Sequence, residues 1–139
     1  MKPNELVMKW FGQSLQVNLK FWSERKGRFF GADLIFDTGA TVSVISEDVL
    51  IALGYDVAAG GTKKITTASG PEFVKEVVLD KIMLGNHEMC NVKVYAYEFP
   101  YEMYTSGVIG LDIISTFDIH LLFSQGLIKL HTGGNNEIT

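Results

Sequence analysis

The chain of 139 residues has the length and composition of one folded domain. Apolar residues make up 47% of it and charged residues 20%, a balance that excludes disorder and allows a sizeable core. The net charge of −4 does not favour a nucleic-acid partner, and the basic runs Arg25–Lys26 and Lys63–Lys64 are short. No run approaches the roughly 18 apolar residues that a membrane span needs.

The single cysteine, Cys90, excludes an intrachain disulfide and fits a reducing compartment. We expect it to be a small packing residue; the alternative is an exposed, oxidisable thiol. Residues 1–14 mix charged with apolar side chains and contain no hydrophobic core of a signal peptide. These features together predict a cytoplasmic protein.

Strand signals dominate the first half of the chain. Residues 1–14 have no clear period and are predicted to be an arm or an edge strand. Runs of apolar and β-branched residues, alternating with polar ones in the first run, predict strands at 15–22, 29–36 and 42–45. Ser46, two acids and the later Gly54 then predict one short helix, with the Ser46 hydroxyl as its cap.

The second half also favours strands, separated by turns and one loop. Strands are predicted at 65–67, 73–78, 80–84, 92–97, 117–123 and 127–131. A short helix is predicted to open at 107–112 and to run through Phe117. The tail 132–139 is polar and is predicted to be flexible.

The whole pattern predicts an all-β domain with one or two short helices. Turn signals recur at short intervals, which is typical of a small closed β-barrel. A tight turn with glycine after apolar residues occurs twice, around Asp37 and around Gly110. This repetition hints at a pseudo-two-fold construction.

Asp37 stands out because the apolar residues 34–36 lead directly into it, and a turn of small residues, 38–40, follows it. A carboxylate in so apolar a setting is expected to be buried and either held by hydrogen bonds or shifted in pKa. The alternative is an ordinary turn acid that bonds its own backbone. That alternative leaves the apolar flanks unexplained.

Two motifs together resemble a known family. Phe36-Asp37-Thr38-Gly39-Ala40 is followed, some seventy residues later, by Val108-Ile109-Gly110-Leu111-Asp112. The pair resembles the retropepsin-like (retroviral-type) aspartic proteases, and the resemblance covers residues 15–131. The closing hairpin at 117–131 is longer than in viral members, so the chain looks closer to cellular and bacterial ones.

The resemblance implies a single-lobe subunit of the acid-protease type that works as a symmetric homodimer. Asp37 is implied to be catalytic, in an active-site loop with Thr38, Gly39 and Ala40. Thr38 is implied to form a hydrogen bond across the dimer axis, and Gly39 to let a peptide substrate approach. Thr41 and Val42 stand where viral members carry acids, so the viral specificity pattern is not expected here.

Two further segments acquire roles from the resemblance. A flap that binds substrate is implied at Thr67, Ala68, Ser69 and Gly70, although a plain surface turn explains this hairpin tip as well. The motif Val108-Ile109-Gly110 is implied either to support the active-site loop by packing or to line a substrate subsite.

Peptide hydrolysis without a metal ion requires two carboxyl groups at such a site. Hydrolysis of an amide by carboxyl groups needs one carboxylate to activate water and one carboxylic acid to protonate the carbonyl oxygen. The chain contains one Asp-Thr-Gly triplet, and no other aspartate is followed by a comparable turn. A second copy of the chain must therefore supply the second acid, as an isologous dimer does.

The sequence thus predicts an aspartic endopeptidase acting on polypeptides as a homodimer, with no cofactor, metal, nucleic acid or membrane involved. His87, His120 and His131 lack the spacing of a metal site. Two alternatives remain open. One is a non-catalytic binding or assembly module on the same fold, and the other is a protease that acts only on itself or on one partner.

Overall fold

The computed structural model describes residues 4–67, 69–103 and 105–132. The strands among them are β1 (Glu5–Val7), β2 (Lys9–Phe11), β3 (Ser14–Ser23), β4 (Arg28–Phe36), β5 (Val44–Ser46), β6 (Thr62–Thr67), β7 (Gly70–Leu84), β8 (His87–Tyr97), β9 (Gly107–Ile109), β10 (Phe117–Leu122) and β11 (Leu127–Thr132). The α-helices are α1 (Glu47–Leu53) and α2 (Leu111–Ile114). Single 3₁₀ turns lie at Val57–Ala59, Tyr101–Met103 and Phe123–Gln125.

The strands form two sheets. A three-stranded antiparallel sheet has the order β1-β11-β10, and an eight-stranded sheet has the order β2-β3-β4-β9-β5-β8-β7-β6. β3 pairs with β7 as well as with β4, so the large sheet curls back on itself. The predicted all-β class with two short helices is confirmed, although the sheet is not a strictly closed barrel. None of the helices in the described ranges is long and apolar enough to cross a membrane.

Strand β9 has a special place because it lies between the strand that enters the Asp37 turn and the strand that leaves it. It runs parallel to β4, where Ile35 faces Val108 and Phe36 faces Ile109. It runs antiparallel to β5, where Val44 also faces Val108. Residues distant in sequence are thereby brought to one end of the sheet.

The core is built from alternate positions of the long strands. In β3 the side chains of Val17, Leu19 and Phe21 are at most 1% exposed, as the period-two pattern predicts. Leu50 and Leu53 of α1 pack against the same core. Burying an apolar side chain of this size contributes about 1.5–3 kcal/mol, so each of these positions matters for stability.

Helix α1 follows the prediction except at its cap. Gly54 ends the helix with φ +103°, a left-handed conformation that glycine adopts at little cost. The predicted Ser46 cap is wrong, because the Ser46 side chain makes no capping hydrogen bond. Ser46 is the last residue of β5, and its N–H donates instead to the carbonyl of Ser106 (2.8 Å).

Several other boundaries differ from the predictions. The strands predicted at 73–78 and 80–84 are one continuous strand, β7, because pairing with β8 extends along both segments. The helix predicted to run from 107 to 117 starts only at Leu111 and ends at Ile114. Its first residues are held as β9 by pairing on both sides, which overrides the local signal.

Cys90 is exposed, so the prediction of a packing residue is wrong. It lies on β8 opposite Lys81 of β7, and the following Asn91 is exposed as well. The thiol is therefore the exposed group that was considered as the alternative.

Ser23 ties the end of α1 to the turn between β3 and β4. Its side chain is fully buried, and its hydroxyl donates to the carbonyl of Leu53 (2.8 Å). The same oxygen accepts the N–H of Lys26 (3.2 Å). One hydroxyl thus satisfies a carbonyl at the helix end and an N–H in the turn, two groups that are costly to leave unpaired.

We expect Ser23→Ala to lower the free energy of unfolding by about 1–2 kcal/mol, because the buried carbonyl of Leu53 loses a donor. Urea denaturation followed by tryptophan fluorescence measures this change. Ser124→Ala, at an exposed position, is the matched control and is expected to change stability by less than about 0.5 kcal/mol. Equal stability of the two variants would contradict the structural role of Ser23.

Candidate active site

Asp37 lies in a tight turn directly after β4. The N–H of Gly39 donates to Oδ1 of Asp37 (2.8 Å), and the N–H of Ala40 donates to the carbonyl of Asp37 (3.2 Å). A Cβ atom added to Gly39 would lie 3.1 Å from the same carboxylate oxygen. The turn therefore holds the acid in place by local hydrogen bonds and brings the backbone close to it.

The expectation that Asp37 is buried is wrong for a single chain. Phe36 is 8% exposed and packs into the core, but Asp37, Thr38 and Gly39 are all exposed. The apolar flanks belong to β4 and to the core beneath it, while the turn projects from the end of the sheet. The hydrogen bond from the Gly39 N–H to Asp37 is one that any aspartate in a turn can form. A catalytic role for Asp37 therefore has to be argued from the residues that surround the turn.

The neighbourhood of the turn is a second loop, which begins at the end of β9. The N–H of Asp37 donates to the carbonyl of Ile109 (3.1 Å), and the N–H of Leu111 donates to the carbonyl of Ala40 (2.8 Å). Between these two bonds, a Cβ atom at Gly110 would lie 2.6 Å from the carbonyl oxygen of Val42. The two loops are therefore clamped together at a point where only glycine fits.

Val108 and Ile109, the first two residues of the second motif, differ in burial. Ile109 is 0% exposed and belongs to the core, which is the position of a residue that supports the loop by packing. Val108 is half-buried and lies between Ile35 and Val44 in the sheet. Packing thus accounts for Ile109, and Val108 alone retains surface that a ligand could touch.

Sequence reasoning missed a polar pair beside these loops. The hydroxyl of Ser43 donates to Oδ1 of Asp112 (2.6 Å), and the N–H of Ser43 donates to Oδ2 (2.9 Å). The Ser43 oxygen also accepts the N–H of Gly110 (2.9 Å). The sequence signal was an acid two residues after Gly110, but nothing in the sequence indicates that it reaches a serine 69 positions away.

The predicted flap is the tip of the hairpin formed by β6 and β7. The Thr67 hydroxyl donates to the carbonyl of Gly70 (2.9 Å) and accepts the N–H of Ser69 (3.2 Å). Gly70 has φ +109°, a conformation that favours glycine. Ala68 lies outside the described residues. In the described part of the chain, no hydrogen bond joins Thr67, Ser69 or Gly70 to the loop of Asp37.

Two residues after Gly70, the same hairpin contacts the end of β8 through Glu72. Burial raises the pKa of the Tyr97 hydroxyl, and the charge of Glu72 and its hydrogen bond to this hydroxyl raise it further. The ring of Tyr97 also packs edge-on against Phe99, with centroids 5.0 Å apart. The hairpin is thus anchored at Glu72, while the described tip residues Thr67, Ser69 and Gly70 are bonded only among themselves.

Nothing in the described ranges resembles a metal centre. These residues contain no group of three or more His, Cys, Asp or Glu side chains able to hold an ion. His120 and His131 lie side by side on the neighbouring strands β10 and β11, with ring centroids 5.3 Å apart, away from the Asp37 loop in the chain.

Comparison with known proteins identifies the fold and the family. A model of the aspartyl protease family matches residues 27–113, a range that includes both clamped loops. The chain is similar in structure to a retropepsin-like aspartic protease from Rickettsia conorii, with a TM-score of 0.66 and 16% sequence identity, over 91% of this chain and 89% of that one. No curated protein matches this chain.

We expect Gly110→Ala to lower the free energy of unfolding by about 1–3 kcal/mol, because the added methyl group meets backbone carbonyls that cannot move independently. The measurement is urea denaturation at fixed protein concentration. Gly61→Ala is the control, since a Cβ there meets nothing within 4 Å. A Gly110→Ala variant as stable as Gly61→Ala would show that the two loops are not clamped as described.

Proposed function

Because the chain belongs to the aspartyl protease family, we propose that it is an aspartic endopeptidase whose catalytic pair consists of Asp37 from two copies of the chain. The observation that carries the proposal is the exposed Asp37 turn, held by hydrogen bonds to the loop of Ile109 and Leu111. An acid that is rigidly held and open to solvent is available both to a partner copy and to a substrate.

The chemistry follows from bringing two such acids together. One carboxylate takes a proton from a water molecule as the water attacks the peptide carbonyl, and the other, protonated, gives its proton to the carbonyl oxygen. Two carboxyl groups in contact cannot both ionise easily, so such a pair shares one proton. One acid and one base are thereby present at the same pH.

A second copy is needed because the chain has one Asp-Thr-Gly triplet. An isologous two-fold interface brings each residue on the axis against itself, which pairs Asp37 with Asp37. Thr38 is exposed next to it and is proposed to form a hydrogen bond across the axis. The exposure of the acid in one chain is what this arrangement requires, since the partner would cover it.

The small sheet offers a surface for such a dimer. In the described ranges, β10 pairs only with β11 and forms an edge of the sheet. Its residue Leu121 is 39% exposed and the following Phe123 is 58% exposed. An edge strand with unpaired backbone groups and apolar side chains is a place where a strand of another chain can pair. In the sequence, β10 begins shortly after α2, the helix that follows Gly110 of the second loop.

The proposed substrate is a polypeptide bound in an extended form. Extended peptides bind by adding strand-like hydrogen bonds to a site of this kind. The tip of the β6–β7 hairpin, at 67–70, is proposed to close over the substrate, as lids do in other enzymes. The exposed Cys90 suits a reducing compartment, and we propose the cytoplasm as the location.

We expect the wild-type protein to cleave members of a mixed peptide library between pH 4 and 7, and a statine-type inhibitor to abolish the cleavage. Asp37→Asn is expected to remove the activity while the circular dichroism spectrum stays unchanged, because the amide cannot activate water. Asp80→Asn removes an exposed charge elsewhere and is expected to retain activity. A folded wild-type dimer that cuts no peptide at any of these pH values would favour the non-catalytic binding or assembly module instead.

Mixing the two forms tests whether the site is shared. When Asp37→Asn protein is added in excess to a fixed amount of wild type, heterodimers form and carry only one intact acid. We expect activity to fall towards zero in proportion to the remaining wild-type homodimer, measured as the initial rate of peptide cleavage. Activity that stays constant during the titration would mean that each chain acts alone.

A further inference from the structure

Ser43 and Asp112 form a bonded pair beside the Asp37 loop. We propose that these two are positioning residues, which hold the loop of Asp37 in its catalytic geometry without touching the substrate. The proposal rests on the aspartic protease function proposed above, because that function makes Asp37 the catalytic acid. It adds Ser43, which lies outside both motifs, and it gives a role to Asp112, the last residue of the second motif.

The direction of each hydrogen bond follows from counting donors. The Ser43 oxygen accepts the N–H of Gly110 (2.9 Å), and its single proton is directed to Oδ1 of Asp112 (2.6 Å). The other carboxylate oxygen accepts the N–H of Ser43 (2.9 Å). An ionised carboxylate is an acceptor only, so it fixes the hydroxyl proton in one direction and forms stronger bonds than a neutral group does.

The chain of bonds leads to Asp37 through Gly110. Gly110 lies between Ile109, whose carbonyl accepts the N–H of Asp37, and Leu111, whose N–H donates to Ala40. Glycine has the most conformational freedom of any residue, so the peptide at this point needs an external restraint. The Ser43 hydroxyl supplies the restraint, and Asp112 holds the hydroxyl.

The burial of Ser43 indicates that the bonds are not incidental, although its partner Asp112 lies at the exposed end of the pair. Ser43 is 0% exposed, and a buried hydroxyl or N–H that loses its partner costs about 1–3 kcal/mol. Asp112 is engaged by three donors, since its Oδ1 also accepts the N–H of Ile113 (2.9 Å). A carboxylate with its oxygens occupied in this way is suited to holding the loop and not to proton transfer.

The experiment compares Ser43→Ala, Asp112→Ala, Asp112→Asn and the double variant Ser43→Ala/Asp112→Ala, with Asp80→Asn as the charge-matched control. Rates are divided by the number of sites counted with a tight-binding statine-type inhibitor, so that a lower yield of dimer does not count as slower chemistry. We expect Ser43→Ala and Asp112→Ala to lower kcat by roughly 10- to 100-fold, because small displacements of a reacting group have effects of this size. KM is expected to change by less than about threefold, since the pair does not touch substrate.

The conservative variant separates positioning from loss of fold. Asp112→Asn keeps one oxygen for the N–H of Ser43 but places its amide against the hydroxyl, so its kcat is expected between those of wild type and Asp112→Ala. The double variant is expected to be no slower than the slower single variant, because the two residues act through one bond network. If Asp112→Ala does not fold, Ser43→Ala and Asp112→Asn carry the same comparison.

A second measurement does not depend on activity. Amide hydrogen exchange in peptides that cover 37–44 and 107–111 is expected to be about tenfold faster or more in Ser43→Ala and Asp112→Ala, and unchanged in Asp80→Asn. Unchanged exchange in these peptides, or wild-type kcat in both single alanine variants, would overturn the positioning role. If exchange rises as expected but the wild type cleaves nothing, the protease function fails while the restraint of the loop by the pair is upheld.

Discussion

Two backbone hydrogen bonds, from Asp37 to Ile109 and from Leu111 to Ala40, are the contacts on which the site depends. They join segments some seventy residues apart and fix the exposed acid relative to the core. Gly110 lies between them, where a side chain would meet the carbonyl oxygen of Val42. Rigidity of the acid therefore comes from the sheet below it, through β4 and β9, and not from burial of the carboxylate.

This arrangement explains how a small single-lobe chain can hold a carboxylate in a defined position at its surface. Burial would hold the acid firmly but would close it to substrate, while an unsupported turn would leave it open and poorly oriented. The clamp, reinforced by Ser43 and Asp112, supports the turn from behind. The exposed side remains free for a second copy and for a polypeptide, which is what the proposed shared site requires.

Much of this could be predicted from the sequence, and the failures have physical causes. Alternation in residues 15–22 predicts β3 well, because one face of that strand packs in the core. The segment 107–109 was expected to open a helix, but pairing with β4 and β5 makes it a strand, and such long-range pairing leaves no local signal. The two motifs predicted which two loops matter, and the structure joins these loops by hydrogen bonds. The Ser43–Asp112 pair could not be found in this way, since it depends on how the loops cross.

The most direct test of the central claim is a crystal structure of the protein with a bound statine-type inhibitor. The account predicts one inhibitor for every two chains, with its hydroxyl hydrogen-bonded to Asp37 of both copies and the bonds to Ile109 and Leu111 intact in each. One inhibitor bound to one chain, or two copies whose Asp37 carboxylates lie far apart around the inhibitor, would contradict it.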